Sequence, residues 1–229
     1  MIPLFHDLAG ERVLVFGGGP VGARKARRFA READTTVVSP TFADADFGDA
    51  DLVRASPGPD DVGAWVADAE PALVVVATDD AALNDAAAAA ARECDALVNR
   101  ADRSGRRDAD SVVVPATVRD GQVTVAVGTG GTSPALSAAL RDRVAGEVAG
   151  AGTLAAVTAR LREGLRAADV SPDRRREAVR AVADSPAVWK SLRTSEDNAV
   201  DEAMRVVADV LDCPRDEAHA LLAGGDGRE

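Results

Sequence analysis

Three glycines close an apolar run in Val13-Leu14-Val15-Phe16-Gly17-Gly18-Gly19-Pro20-Val21-Gly22. Residues of these types at this spacing can cradle the phosphates of a dinucleotide. Gly17 permits a tight turn out of a strand, Gly19 lets backbone approach a pyrophosphate with no Cβ in the way, and Gly22 allows a helix to pack closely on the strand. Pro20 suits the first helical position, where its missing N–H costs nothing. The N–H groups that follow, from Val21 on, would face the phosphates, and the helix dipole favours their charge. A second glycine-rich turn, Gly128-Thr129-Gly130-Gly131-Thr132-Ser133-Pro134, has similar chemistry. Thr132 or Ser133 suits an N-cap and Pro134 a first helical turn. On its residues alone, this turn reads equally as an anion-binding helix start or as an ordinary capped loop.

Polar residues also stand at the ends of predicted strands, where ligands bind in open parallel sheets. Residues 35–39 read as a strand stopped by Pro40. Dinucleotide folds often carry an acidic residue there for the ribose 2′-hydroxyl, or an arginine nearby for a 2′-phosphate. Here the stretch is Ser39-Pro40-Thr41, with neither. NAD is therefore favoured over NADP, with Pro40 and Thr41 at its adenosine end. Thr78 follows the buried run 73–77 and precedes Asp79-Asp80, either of which can cap a helix over 81–92. Asn99 ends the run 97–99, and Asp102 follows in a polar loop.

The elements that must position these residues alternate regularly. Strands are expected over 12–16, 35–39, 52–55, 73–77 and 97–99, and helices over 21–31, 60–69 and 81–92. Strands 12–16 and 73–77 are apolar on both faces, as buried parallel strands are. The alternation predicts an α/β, Rossmann-like, doubly wound parallel sheet. Residues 111–115 and 122–127 then read as an antiparallel pair joined through Arg119-Asp120-Gly121, since Asp-Gly is a hairpin signal. A helix is expected over 135–148. From 150 onward strand signals vanish and helical stripes follow: Leu154, Val157, Leu161 and Leu165; Val179, Val182 and Ala183; Val200, Met204, Val207, Val210 and Leu211; Ala218, Leu221 and Leu222. These stripes can bury against each other or against a second chain. Residues 224–229 read as a frayed tail.

Composition narrows the function classes. The chain has 229 residues, 46% of them hydrophobic and only 3% aromatic, so Val, Leu and Ala must build its core. Its formal net charge is −11, with the acidic residues spread along the chain. That argues against a nucleic-acid partner, which needs a basic face. Lys25 and Lys190 are the only lysines; an acidic, arginine-rich chain of this kind fits either a salt-loving source or a high-GC genome. Cys94 and Cys213 are isolated and His6 and His219 stand alone, so no metal site is expected. With no leader and no long apolar span, a soluble cytoplasmic protein is expected, not one in a membrane.

Five stretches together carry a family likeness. They are Pro3-Leu4-Phe5 with Leu8; Gly17 to Val21 with Arg24-Lys25; Ala77-Thr78-Asp79-Asp80 with Leu83-Asn84; Val98-Asn99 with Asp102; and Thr129-Gly130-Gly131-Thr132-Ser133-Pro134 with Leu136 and Leu140-Arg141. In this order they resemble the precorrin-2 dehydrogenase and sirohydrochlorin ferrochelatase family, including the first half of multifunctional siroheme synthase. The resemblance implies NAD over Gly17, Gly19, Pro20 and Val21, with Pro40, Thr41 and Thr78 beside it. It implies precorrin-2, a polycarboxylate tetrapyrrole, as the substrate oxidised to sirohydrochlorin, with Asn99, Thr129, Gly130, Gly131, Thr132 and Ser133 toward the substrate. It assigns the acid/base to Asp102, which fits a carboxylate's ability to accept a proton. It also implies Fe²⁺ as a further substrate, for insertion into sirohydrochlorin, and a homodimer built through the segment after the first domain. The expected domains are an NAD-binding Rossmann domain at 1–110, a dimerisation and linking region at 111–149 and a helical domain at 150–229. Two departures from the family pattern stand out. The loop 103–109 is longer and lacks proline, which leaves Asp108 and Asp110 as stand-ins for Asp102. The chain ends at Glu229, so the methyltransferase part of siroheme synthase is not expected. The competing reading is an NAD-sensing regulatory module without turnover.

Overall fold

The computed structural model describes residues 3–102 and 111–223. Asp108, Asp110 and the arginines at 103, 106 and 107 lie outside the described residues, as does the tail 224–229. The chain divides into two compact units. One comprises Met1–Val114 with Gly130–Ser133; the other comprises Pro115–Thr129 and Pro134–Glu229.

The first unit is the expected alternation: β1 (Arg12–Phe16), α1 (Pro20–Phe29), β2 (Asp34–Ser39), β3 (Asp51–Arg54), α2 (Val62–Ala69), β4 (Leu73–Val76), α3 (Ala81–Glu93) and β5 (Leu97–Arg100). The strands form one parallel sheet in the order β3-β2-β1-β4-β5. Alternate residues feed opposite faces. Val13, Val15, Val37, Leu73 and Val75 pack with Ala23 and Ala26 of α1. Leu14, Phe16, Val38, Val74, Val76 and Val98 pack with Val62, Val66, Leu83, Ala87 and Ala91 of α2 and α3. Burial on both faces explains why the central strands read as continuous apolar runs. The order reverses between β1 and β4, and the crevice at such a switch point is where this architecture receives ligands.

The hairpin departs from expectation. Its strands are β6 (Ala116–Asp120) and β7 (Val123–Val127), with Asp120 opposite Val123 and Gly121-Gln122 as the turn. Residues 111–115 are not its first strand. A two-residue turn forces the residues immediately before it into the ladder, which places Ala116–Asp120 there. Ser111 instead makes an isolated parallel bridge to Val98 at the edge of the first sheet, and Val112 N–H donates to Val98 O at 2.8 Å.

Among the described residues, six helices complete the second unit: α4 (Pro134–Glu147), α5 (Ala151–Ala167), α6 (Pro172–Asp184), α7 (Pro186–Leu192), α8 (Glu196–Leu211) and α9 (Arg215–Ala223). The apolar stripes of α5, α6, α8 and α9 close on each other. Leu154, Val157, Leu161, Leu165, Val182, Met204, Val207, Ala218 and Leu222 form one buried cluster. The short α7 had no periodic signal; it is capped by Ser185, and Trp189 Nε1 donates to Ala183 O at 2.8 Å. The hairpin tip is tied to the start of α5, where Gly150 N–H donates to Asp120 Oδ2 at 2.5 Å. In contrast, α4 buries none of its residues. Among the described residues, no helix is long and apolar enough to cross a membrane.

Candidate functional site

The glycine turn has the geometry its spacing implies. Gly17 has φ +116, and a Cβ there would lie 2.5 Å from Ala77 O. A Cβ on Gly22 would lie 1.8 Å from Gly17 O. These two glycines let α1 sit directly on the turn that leaves β1, with Ala77, just past β4, packed against it. Gly19 differs: a Cβ there would meet nothing within 4 Å. It is the N-cap of α1, with Pro20 next, no side-chain cap and no acidic residue in the first turn. The amide donors of this helix start are thus left for an outside acceptor, beside open space. An uncapped, uncrowded helix start of this kind fits a dinucleotide pyrophosphate.

Neighbouring strand ends complete the edge. Thr78, just past β4, is pinned by the buried Asn84: Thr78 Oγ1 donates to Asn84 Oδ1 at 2.8 Å, and Asn84 Nδ2 donates to Thr78 O at 2.8 Å. Of the two candidate caps, Asp80 caps α3, accepting from the N–H groups of Ala82 and Leu83. Past β2, Ser39 Oγ donates to Thr41 O at 2.8 Å, and Ala43 N–H donates to Gly18 O at 2.8 Å, which joins this strand end to the glycine turn. The stretch holds no arginine of its own, yet a cation reaches it from β3. Arg54 donates to Pro40 O at 3.0 Å and lies 5.6 Å from the centre of the Phe42 ring. Strand pairing brings Arg54 there, opposite Ser39, and no local pattern in 39–41 could have announced it.

At the end of β5, Asn99 is buried. Its Nδ2 donates to Val112 O at 2.8 Å, while its Oδ1 is, among the described residues, a buried oxygen without a partner. The need for a donor to Val112 O fixes which way the amide faces. Asp102 follows, with its backbone exposed but only 12% of its side chain accessible. Arg100 Nε and Nη2 donate to its two oxygens at 2.9 and 2.7 Å, and Arg100 Nη1 donates to Asp85 Oδ1 at 2.7 Å. From sequence, Arg100 reads as either a substrate-carboxylate ligand or loop charge. Asp102 stands two residues beyond Arg100, the last residue of β5, and this nearness in the chain is the signal for the pair.

Gly17, Gly19, Pro20, Val21, Pro40, Thr41, Thr78, Asn99 and Asp102 therefore all gather along the carboxyl edge of one sheet. Gly130, Gly131, Thr132 and Ser133 belong to the same compact unit, and Thr129 to the other, where its hydroxyl lies 2.9 Å from that of Ser137. Lys25 on α1 adds one perturbed group. Burial, then the nearby Arg28 and Arg24, push its ammonium pKa down to about 8, so a bound anion would favour its charged form. Among the described residues, no group of three or more His, Cys, Asp or Glu side chains gathers as a metal site.

Comparison with known proteins bears on this edge. The NAD_binding_7 family model, described as "Putative NAD(P)-binding", matches residues 4–116. Precorrin-2 dehydrogenase of Methanosarcina barkeri is 32% identical over 221 residues, covering 92% of this chain and 95% of that protein. Siroheme synthase of Pseudomonas putida is 34% identical over 199 residues, covering 83% of this chain. The match spans only 41% of the synthase's length. Among solved structures, SirC, a precorrin-2 dehydrogenase, superposes with a TM-score of 0.65 at 23% identity, covering 93% of this chain and all of that one. At that identity the likeness concerns the fold.

Proposed function

The chain belongs to the precorrin-2 dehydrogenase family, and from that premise we propose that it oxidises precorrin-2 to sirohydrochlorin with NAD⁺. The observation that carries this reading is the single sheet edge that holds both the uncapped start of α1 and the Asp102 carboxylate. NAD⁺, when bound, supplies the hydride acceptor. The chain's own residues do the rest. Gly17, Gly19, Pro20 and Val21 hold the pyrophosphate, Pro40 and Thr41 flank the adenosine, and Thr78, fixed by Asn84, borders the crevice. Asn99 and the turn from Gly130 to Ser133 face the macrocycle. Asp102 takes the proton that the macrocycle gives up along with the hydride, so the products are sirohydrochlorin, NADH and one proton.

The direct test mixes the protein with precorrin-2 and NAD⁺ and follows the absorbance of NADH and sirohydrochlorin together. The two products are expected to rise in equal amounts. Binding of NAD⁺ with no NADH formed would favour a sensing module and sink the enzyme reading. Insertion of Fe²⁺ into sirohydrochlorin is proposed as a second activity of the same site, with Asp102 receiving pyrrole protons as the metal enters. Fe²⁺ uptake no faster than without protein would remove that activity.

We also propose a homodimer built through the hairpin and α4. The helix buries no residue, Leu136 is 50% exposed, and Val118, Val123, Val125 and Val127 are only half-buried. Apolar surface of this extent needs a cover. Analytical ultracentrifugation should give twice the chain mass, and Leu136→Glu should lower it; a monomeric mass for the unaltered protein would refute the dimer.

A further inference from the structure

Arg100 grips Asp102 in a fork, one nitrogen to each oxygen, and holds Asp85 with its third nitrogen. The Arg100 side chain is 7% exposed and that of Asp102 12%, whereas Asp85, on the outer side of α3, is 56% exposed. A two-point guanidinium–carboxylate pair fixes the carboxylate's plane as well as its place. We infer that Arg100 is a positioning residue for the proposed oxidation, keeping Asp102 ionised and aimed while a polycarboxylate substrate lies beside it. The inference rests on Asp102 as the proton acceptor.

The physical need comes from the substrate's own charge. Neighbouring carboxylates raise one another's pKa, and a carboxyl that already holds a proton accepts none. A guanidinium in direct contact opposes that rise. Arg100 remains cationic throughout: its hydrogen bonds to Asp102 first, then those to Asp85, raise its pKa and outweigh the effect of burial. In the proton step, a macrocycle X–H bond breaks and its electron pair stays on the macrocycle. An O–H bond forms on Asp102, which later releases the proton to water. The fork occupies one lone-pair direction of each oxygen, and carboxylate oxygens have further acceptor capacity. Among the described residues, Asp85 is the other charged group facing this cluster, from α3; its charge works against Arg100, but from an exposed position where water screens it.

The sign follows directly. A cation in contact favours the ionised form of a carboxylate, so its removal should move the acidic limb of kcat/KM upward. Arg100→Leu should move the limb up by about one to three pH units. The Asp102 carboxyl, followed by ¹³C NMR in the ligand-free protein, should titrate higher in the same variant. Arg100→Lys keeps a cation without the fork, so it should restore most of the limb's position while leaving kcat below the wild-type value. NAD⁺ titration of each variant reports that the sheet edge is intact. An unchanged limb and an unchanged carboxyl titration in Arg100→Leu, or in Arg100→Lys a limb as shifted as in the leucine variant, would overturn the role of Arg100. Full activity in Asp102→Asn would instead overturn Asp102 as the proton acceptor, and the Arg100 role with it.

Discussion

Asp102→Asn is expected to slow precorrin-2 oxidation by about 10² to 10⁴-fold, the usual contribution of a general base. NAD⁺ affinity should stay within about twofold. Asparagine has nearly the same shape but no basic oxygen at neutral pH. Its amide nitrogen would also face an Arg100 donor where an oxygen now accepts, so the side chain is expected to turn as well as to lose its charge. The cofactor cradle should not feel the change. Asp102 follows β5, and β4 separates β5 from β1, a distance of roughly 10 Å at the usual strand spacing. Stopped-flow absorbance of NADH measures the rate, and quenching of intrinsic fluorescence on NAD⁺ addition measures the affinity. Turnover at the wild-type rate would move the base elsewhere; weakened NAD⁺ binding of similar size would mean that Asp102 supports the cradle instead of the proton transfer.

The glycine turn separates in the same way into a fold-bearing and a ligand-bearing position. Gly22→Ala would place a methyl 1.8 Å from Gly17 O. That oxygen has little room to retreat, because Gly17 N–H is bonded to Val38 O at 3.0 Å and Ala77 O fills the place a Gly17 Cβ would take. The helix must move off the sheet, with a cost of about 3 kcal/mol or more and loss of NAD⁺ binding. Gly19→Asp should behave oppositely. Its backbone, at φ −75 and ψ −178, suits any residue, and the space beyond it is open. Aspartate is also a good N-cap, so thermal stability should be kept or should rise, by up to about 1 kcal/mol. Its charge would stand where a pyrophosphate must lie. At close range near a protein surface such repulsion is about 4 kcal/mol, enough to cut NAD⁺ affinity by about 100-fold or more. Differential scanning calorimetry with and without NAD⁺ reads both effects. A Gly19→Asp protein that NAD⁺ stabilises as it does the wild type would show that the cofactor lies elsewhere.

The sequence by itself determined the parallel sheet, the close packing at Gly17 and Gly22, a cap at Asp79 or Asp80 and the apolar stripes of the helical unit. Each of these follows from local rules: side-chain period along a strand or helix, the space a Cβ needs, and a short side chain's reach to nearby amides. The hairpin strand was misplaced, because 111–115 is as β-like in composition as 116–120. Only the pairing of Asp120 with Val123 distinguishes the two, together with the bridge of Ser111 to Val98. Tertiary structure alone decided the electrostatics of the edge. Arg54 reaches Pro40 because β3 pairs with β2. Asp85 meets Arg100 across 15 residues because α3 lies on that face of β5. It also decided that Gly130–Ser133 join the first unit while their flanks belong to the second. Contacts of this kind depend on strand order and helix rotation, quantities that no window of the chain contains. Residue types at the glycine turn could therefore name the ligand class, whereas the setting of the Asp102 carboxylate emerged only when distant segments were brought together.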